Sequence, residues 1–598
     1  MDARSRMGAL PVVVLMVTGL VVAPSVATAN SSPPISKVPV AQGYGGAVVS
    51  DTVEATQAGL DVLSRGGTAT DAAVAVAATL GVTDPFMAGL GGGGYFVHYD
   101  ADTGRVSTID GRETAPAAAD GNLFIDPATG KAYPFAQAVT SGRSVGTPGM
   151  LATWEHALRL WGRFDLEDLL KPAIKVADQG FAITPELRKE ILANQDRFKQ
   201  FTSTSALYLP GGKAPEVGDR LRNPDLAGTY RQIAKEGTRA FYGGSIGLDV
   251  ANAAQKPPLA PDATIKPPPG LLTAEDLRAY RTIDQAPTHS RYRDLDIYGM
   301  APSSSGGITV GEALNILETS DLGDLDRTQA LHRYLEASKL AFADRNRHIG
   351  DPAYVPVPQG RLLSDSFART RACLIDPAKA MLAPVAPGPL TGEGDCRAAA
   401  GTPTPENEAH TNHFVVADAR GDMVSYTNTI EQVGGSGIVV PGRGFLLNNE
   451  LTDFNFTPTQ GDAPDPNLPA AGKRPRSSMS PTIVLKDGEP WLALGSPGGS
   501  TIITTVLQVL LNRVDFEMPL VDAVASPRAS QRNTVSVTAE PAFIARAGDL
   551  QSLGHTFVEQ SEIGAVAAIE FLGHGRYLAV GEASRRGGTS AAVVYPRR

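Results

Sequence analysis

Hydrophobic and polar positions change period several times along this chain, and the changes divide it into parts. Between residues 44 and 83, short apolar strand-like runs alternate with the helical stretch DTVEATQAGLDVLSRGG, which Gly66-Gly67 stops. Gly89-Leu90 and four further glycines, Gly91 to Gly94, precede the strand-like YFVHY, and a backbone bare of side chains can approach a neighbour closely there. Neither GKT/GKS nor an amphipathic helix follows, so the glycines do not read as a phosphate loop. From 150 to 345 the pattern is mainly helical, as in GMLATWEHALRLWG and TQALHRYLEASKLAFADRNR. The proline-rich 256–269 interrupts it as a surface loop. Residues 383–409 are rich in Pro, Gly, Ala and Thr, lack any period, and predict a flexible connector.

Strand periodicity begins abruptly at Thr411. TNHFVVADARGDMVSYTNTI holds two alternating, branched-residue-rich runs around a tight turn near Ala419 to Gly421, which predicts a β-hairpin. With Asp418 facing Asp422, residue 411 pairs with 429, and cross-strand neighbours stand about 5 Å apart. Two threonine hydroxyls then meet at the open end. The remainder mixes strands and helices, without a solenoid repeat.

Composition narrows the function. At 598 residues and 42% hydrophobic, the chain can bury a large core, and a net charge of -10 disfavours nucleic acid and anionic membranes as partners. A small-molecule substrate fits better. Residues 1–29 carry Arg4 and Arg6, an apolar stretch from about Gly8 to Val22, and Ala27-Thr28-Ala29, the layout of a secretory signal cleaved before Asn30. An uncleaved anchor is the alternative, although Pro11 and Pro24 interrupt the stretch. Cys373 and Cys396 could close a small loop or stay as thiols. No metal-ligand spacing appears among the cysteines and nine histidines, so neither metal nor cofactor is expected.

A threonine hydroxyl is a weak nucleophile that needs a base beside it. The α-amine of Thr411 could be that base, provided the bond from His410 to Thr411 is cut. A connector before the bond and a strand after it make such a cut tolerable. By pattern alone, Thr411 could equally be an ordinary edge-strand threonine.

Several segments, in order from about residue 40 to 598, resemble the gamma-glutamyltransferase family. They are TATDAAVAVAATLGVTDPF, GLGGGGYF, IDGRETAP, SSSGGITVGEALNILE and LAFADRNRHIGDP, then TNHFVV, SYTNTIEQVGGSGIVVP, GFLLNNELTDF, KRPRSSMSPTIV and GSPGGSTIITTVLQ. The resemblance implies an α/β fold, the four-layer αββα sandwich of N-terminal-nucleophile hydrolases. Its single core would be built from a large subunit, 30–410, and a small catalytic subunit, 411–598. Self-cleavage between His410 and Thr411 would separate the two, which would remain together as a heterodimer. It further implies γ-glutamyl transfer from glutathione or a similar donor to water, an amino acid or a peptide. Thr411 matches the nucleophile, Thr429 the threonine that hydrogen-bonds it, and Gly498 and Gly499 the oxyanion pair. Arg112, Ser477 and Ser478 match the residues that grip the α-carboxylate, while Glu450 and Asp453 match those that hold the α-ammonium.

This sequence departs from common family patterns at Glu431, where many relatives have asparagine, and at Glu450, where many have glutamine. Its 455–472 segment is short for a lid and has no tyrosine latch. Two alternatives remain: an acylase on the same scaffold that removes a glutaryl side chain, and an unprocessed secreted relative without enzyme activity. The first leaves Glu431, Glu450 and Asp453 without an ammonium to bind, and the second leaves the whole constellation without a purpose.

Overall fold

The computed structural model describes residues 36–392, 395–403 and 410–596. The signal expected at 1–29 lies outside the described residues. The chain is an α/β protein organised around one strand, Val40–Ser50. Its first half pairs with Arg576–Gly581 and its second half with Asn412–Asp418, while Ser590–Pro596 also runs beside it. Beyond Asn412–Asp418 the sheet continues through Met423–Thr429, Gly93–Asp100, Arg105–Gly111 and Ile283–Gln285. In the other direction, beyond Arg576–Gly581, it runs through Ala567–Phe571, Glu489–Gly495, Thr482–Lys486, Leu295–Gly299 and Thr288–Tyr292.

The two-residue period of these strands sorts their side chains into different apolar clusters. Val48, Phe414, Val416, Val424 and Tyr426 pack with the helices Val53–Ser64, Ala69–Thr83, Met150–Trp161 and Leu166–Gln179. Their neighbours Ala47, Val49, Val415, Ala417 and Met423 join Ile483, Ala493, Ala567, Ile569 and Tyr577. Val484, Leu492, Leu494, Ala568 and Val580 meet the helices Gly306–Glu318, Arg327–His348 and Thr501–Val514. The single core expected from the sequence is therefore three main clusters. Strands buried on both faces divide the apolar residues that way, and each cluster draws on residues from both sides of position 411.

Local signals act as the pattern suggests. In Ala69–Thr83, the Thr68 side chain accepts from the Asp71 N–H at 3.0 Å while Asp71 accepts from the Thr68 N–H at 2.8 Å, a reciprocal cap. Every residue of that helix is buried, which suits its near-continuous apolar sequence. The hairpin has the expected register: Met423 faces Ala417 and Asn428 faces Asn412, which puts Thr429 opposite Thr411 at its open end.

Residues 383–409 differ from the expected flexible connector in their described part. Val385 bridges Ala400, the Gly388 N–H donates to Asp344 at 2.5 Å, and Cys373 is joined to Cys396 with Cα atoms 5.3 Å apart. Each tie is made to a residue remote in sequence or through a covalent link, so a local absence of periodicity says nothing of it. Among the described residues, no helix is long and apolar enough to cross a membrane.

Candidate active site

The nucleophile candidate sits where the hairpin register leaves it. Thr429 pairs with Gly93, and carrying the pairings Gly94 to Gly111 and Asn428 to Asn412 one residue further puts Arg112, Gly93, Thr429 and Thr411 in one row across adjacent chains. Three strand spacings separate the row's ends by about 14 Å. The glycine run makes the close packing possible: a Cβ on Gly92 would stand 2.0 Å from the Thr429 carbonyl oxygen.

Thr411 is buried and precedes the Asn412–Asp418 strand. Its carbonyl oxygen accepts from Arg586 Nη1 at 2.8 Å. The next residue, Asn412, donates its side-chain amide to Asp51 at 2.8 Å and to Asp84 at 2.7 Å. Burial, then the neighbouring Asp84, pushes the Asp51 carboxyl up to about 6.

Thr429 Oγ1 donates to the His410 carbonyl at 2.8 Å and accepts from the Glu431 N–H at 2.8 Å. The resemblance led us to expect this hydroxyl against the nucleophile. In the uncut chain its hydrogen goes instead to the carbonyl of the bond before Thr411, because that oxygen is present and within reach. Such a contact polarises the carbonyl toward attack by a neighbouring hydroxyl. The His410 N–H donates to the Glu431 carbonyl at 2.8 Å, which holds the residue before the bond through the preceding peptide. Burial and the charges of Arg586 and Lys189 depress His410 to about 4, so its ring is neutral at physiological pH.

Thr411 and Thr429 open onto a cleft of about 650 Å³. Arg112, Glu431, Glu450, Asp453, Ser477, Ser478 and Gly499 all line it, so the structure gathers the expected substrate residues in one place. Gly498 faces a second cavity of about 1220 Å³, which His410, Lys189, Glu190 and Arg586 also line and which shares Ser500 with the first. Gly498 and Gly499 have φ of +133° and +57°. They lead into the Thr501–Val514 helix, and a Cβ on Gly498 would meet Thr501 Oγ1 at 2.7 Å. Among the described residues neither glycine N–H donates to a backbone carbonyl.

Charge is concentrated at the far end of the cleft. Buried Arg112 donates one guanidinium nitrogen to Glu450 and another to Asp453, while its Nε donates to the Pro475 carbonyl at 3.3 Å. The arginine expected to take a carboxylate and the acids expected to take an ammonium are thus paired with one another. Burial first, and Asp453 after it, raises Glu450 against the lowering effect of Arg112, to about 7. Glu431 is also raised, by burial, Asp453 and Glu450. It accepts from the Asn449 side chain and has a left-handed φ of +81°. Ser477 Oγ accepts from the Met479 N–H at 3.1 Å, and Ser478 Oγ accepts from Arg345 Nη2 at 2.7 Å.

The raised Glu450 has a testable consequence. Its charged form is the one that attracts an ammonium, and it is populated as pH rises through about 7. For a substrate bearing an α-ammonium, kcat/KM should climb through that range, and the part due to Glu450 should vanish in Glu450→Gln. An unchanged pH profile in the variant would remove Glu450 from ammonium binding.

Three contributors were not singled out from the sequence. Glu113 is fully buried beside Arg112, with its carboxyl against that of Glu450. Burial and Glu450 hold it well above the usual carboxylate range, against the lowering effect of Arg112. Arg345 lies in the cleft wall, and Arg586 holds the Thr411 carbonyl. Glu113 adjoins Arg112 in IDGRETAP and Arg345 lies within LAFADRNRHIGDP, but nothing local distinguishes them from other charged positions.

Known proteins resemble this chain along most of its length. The family model described as Gamma-glutamyltranspeptidase matches residues 55–593. The chain is 38% identical over 553 residues to the glutathione hydrolase proenzyme of Bacillus subtilis (strain 168), covering 91% of each protein. It is 36% identical over 540 residues to the acylase ACY 1 proenzyme of Pseudomonas sp. (strain SE83), covering 89% of this chain and 90% of that protein. Among solved structures, the cephalosporin acylase from Bacillus halodurans superposes with a TM-score of 0.80 at 28% identity, over 94% of this chain and 98% of that one.

Proposed function

This chain belongs to the gamma-glutamyltranspeptidase family, and on that premise we propose that it is an exported, self-cleaving acyltransferase and hydrolase acting on γ-glutamyl compounds such as glutathione. It cuts itself between His410 and Thr411, and the two pieces stay together as large and small subunits of one four-layer αββα unit of the N-terminal-nucleophile type. The three apolar clusters support that layering, since two carry helices and the third lies between strands of both halves of the sheet. The signal-like residues 1–29 and the Cys373–Cys396 bridge support export to an oxidising compartment.

In maturation, Thr411 Oγ attacks the His410 carbonyl carbon, whose oxygen Thr429 already engages. The carbon–nitrogen bond breaks, the hydroxyl proton passes to the departing nitrogen, and water opens the resulting ester. Thr411 then bears a free α-amine. In turnover that amine takes the hydroxyl proton as Oγ attacks the γ-carbonyl of the donor, and the oxyanion meets the N–H groups of Gly498 and Gly499. The proton goes to the leaving amine. Water or an incoming amine attacks the γ-glutamyl ester and restores Thr411.

The observation that carries this reading is the pairing of Arg112 with Glu450 and Asp453 opposite two threonine hydroxyls in one cleft. A γ-glutamyl group has a carboxylate and an ammonium on the same carbon, and can satisfy both signs at once. Its carboxylate would go to Arg112, Ser477 and Ser478, and its ammonium to Glu450, Asp453 and Glu431. Similarity to acylases favours a second reading, in which a glutaryl group fills the cleft. Glutaryl has no ammonium, so three acids would remain without a partner in the substrate. The test compares γ-glutamyl-p-nitroanilide with glutaryl-p-nitroanilide on processed protein. At least about a 100-fold preference in kcat/KM for the γ-glutamyl compound is expected, from the cost of leaving buried charges unmatched. A preference for glutaryl would replace this reading with the acylase one.

A further inference from the structure

Arg345 belongs to the large piece, near the end of the Arg327–His348 helix, yet it reaches the two serines of the small piece that face the cleft. Its Nη2 donates to Ser478 Oγ at 2.7 Å and its Nε donates to Ser305 Oγ at 2.8 Å. Ser305 passes the hold on: its hydroxyl donates to the Ser477 carbonyl at 2.5 Å and its N–H to the same oxygen at 2.8 Å. One guanidinium therefore fixes the Ser477 backbone through Ser305 and the Ser478 hydroxyl directly. The third nitrogen, Nη1, donates to Asn346 Oδ1 at 2.7 Å, which sets the plane of the fork.

The chemistry of a hydroxyl gives this contact a direction. A serine oxygen accepts through its lone pairs and donates one hydrogen. With a lone pair committed to a guanidinium, Ser478 keeps its hydrogen for another acceptor, and its side chain lines the cleft. Ser477 is in the same state, since the Met479 N–H occupies its oxygen. The guanidinium also withdraws electron density from the Ser478 hydroxyl and makes it a better donor. Two hydroxyl donors at the Arg112 end of the cleft match an anion with two oxygens.

We propose that Arg345 is a positioning residue that sets Ser478 as a donor to the α-carboxylate of the substrate, acting through Ser305 and Ser478 without touching the reacting atoms. The proposal rests on the γ-glutamyl reading above and adds to it which residue makes the serines donors.

The experiment is a double-mutant cycle on the full chain: wild type, Arg345→Met, Ser478→Ala and the pair together, with kcat and KM for γ-glutamyl-p-nitroanilide and the extent of self-cleavage by mass. Arg345→Met is expected to raise KM about 10-fold, the worth of one charge-assisted hydrogen bond, with kcat within about threefold. The double variant should match the worse single variant within about twofold, because both changes remove the same donor. A double effect equal to the product of the single effects, or a kcat loss as large as the loss in kcat/KM, would overturn the proposal. Arg345→Lys keeps the charge and loses the fork. It covers the case in which the methionine variant fails to fold, and should show the same KM effect in part, whereas wild-type KM would overturn the proposal. A wild type that cleaves itself but ignores the γ-glutamyl anilide would overturn the substrate reading and this inference with it.

Discussion

Thr411→Ala should leave purified protein as a single uncut chain without turnover, while the wild type yields two fragments, one beginning at Thr411. Intact-mass and N-terminal analysis of both proteins check this. The expectation follows from position and chemistry together. The methyl group of alanine keeps the strand start and the contacts of the Thr411 backbone, including the Arg586 bond to its carbonyl, but removes the only atom proposed to attack. Cleavage and turnover use the same oxygen, so both fall at once, and the rate loss should exceed about 10⁴-fold, as for other lost nucleophiles. Cleavage of the alanine variant at the same bond would show that another group or a protease makes the cut. An uncut wild type that still turned over a γ-glutamyl anilide would sink the terminal-amine mechanism.

Arg112→Met separates the two activities. Arg112 lies at the other end of the strand row from Thr411, and Thr429 rather than Arg112 engages the His410 carbonyl. The variant should therefore still cut itself. Donor turnover should fall steeply, by about 10² to 10³ in kcat/KM, the usual cost of removing one member of a buried charged pair at a binding site. Stability should fall too, because Glu450 and Asp453 lose their shared cation. Removing one partner from a buried pair costs about 3–5 kcal/mol. The cost here should be at the low end or below it, since Glu450 can take up a proton near pH 7 and Asp453 is partly open to the cleft. Thermal unfolding at pH 6 and pH 8 would reveal it: without Arg112, which holds Glu450 down, the carboxyl is pushed further up, so the variant should lose more stability at pH 8, where wild-type Glu450 has shed the proton that the variant must keep. Full donor activity in the variant would remove Arg112 from substrate binding.

Much of this site could be read before any coordinates. The Thr411 to Thr429 pairing follows from a two-residue period and a turn bounded by Asp418 and Asp422, both local features. The cap on Ala69–Thr83 and the stop at Gly66 are equally local. Resemblance to the family supplied Arg112, Glu450, Asp453, Ser477 and Ser478, which the structure brings to one cleft from segments more than 300 residues apart. What could not be read depends on strand order and on long-range pairing. No periodicity predicts that Gly93–Asp100 lies between Arg105–Gly111 and Met423–Thr429, and without that order the row from Arg112 to Thr411 is invisible. The tie from Arg345 to Ser478 crosses 133 residues, and that from Arg586 to Thr411 crosses 175. Nor could the sequence foretell that Arg112 is held by the acids meant for the substrate's other charge. Electrostatic attraction makes that pairing favourable only once the fold has placed the three side chains together.

The grip on Thr411 and on Asn412, where the Asn412–Asp418 strand begins, bears on what happens after the chain is severed. A fresh chain end ordinarily frays, and each residue released regains about 1–2 kcal/mol of backbone freedom. Here Arg586 holds the Thr411 carbonyl, and Asp51 and Asp84 hold the amide of Asn412, all through side chains that the cut does not touch. The new terminus is thus moored from the side opposite the break. Losing a covalent neighbour need not cost the threonine its aim.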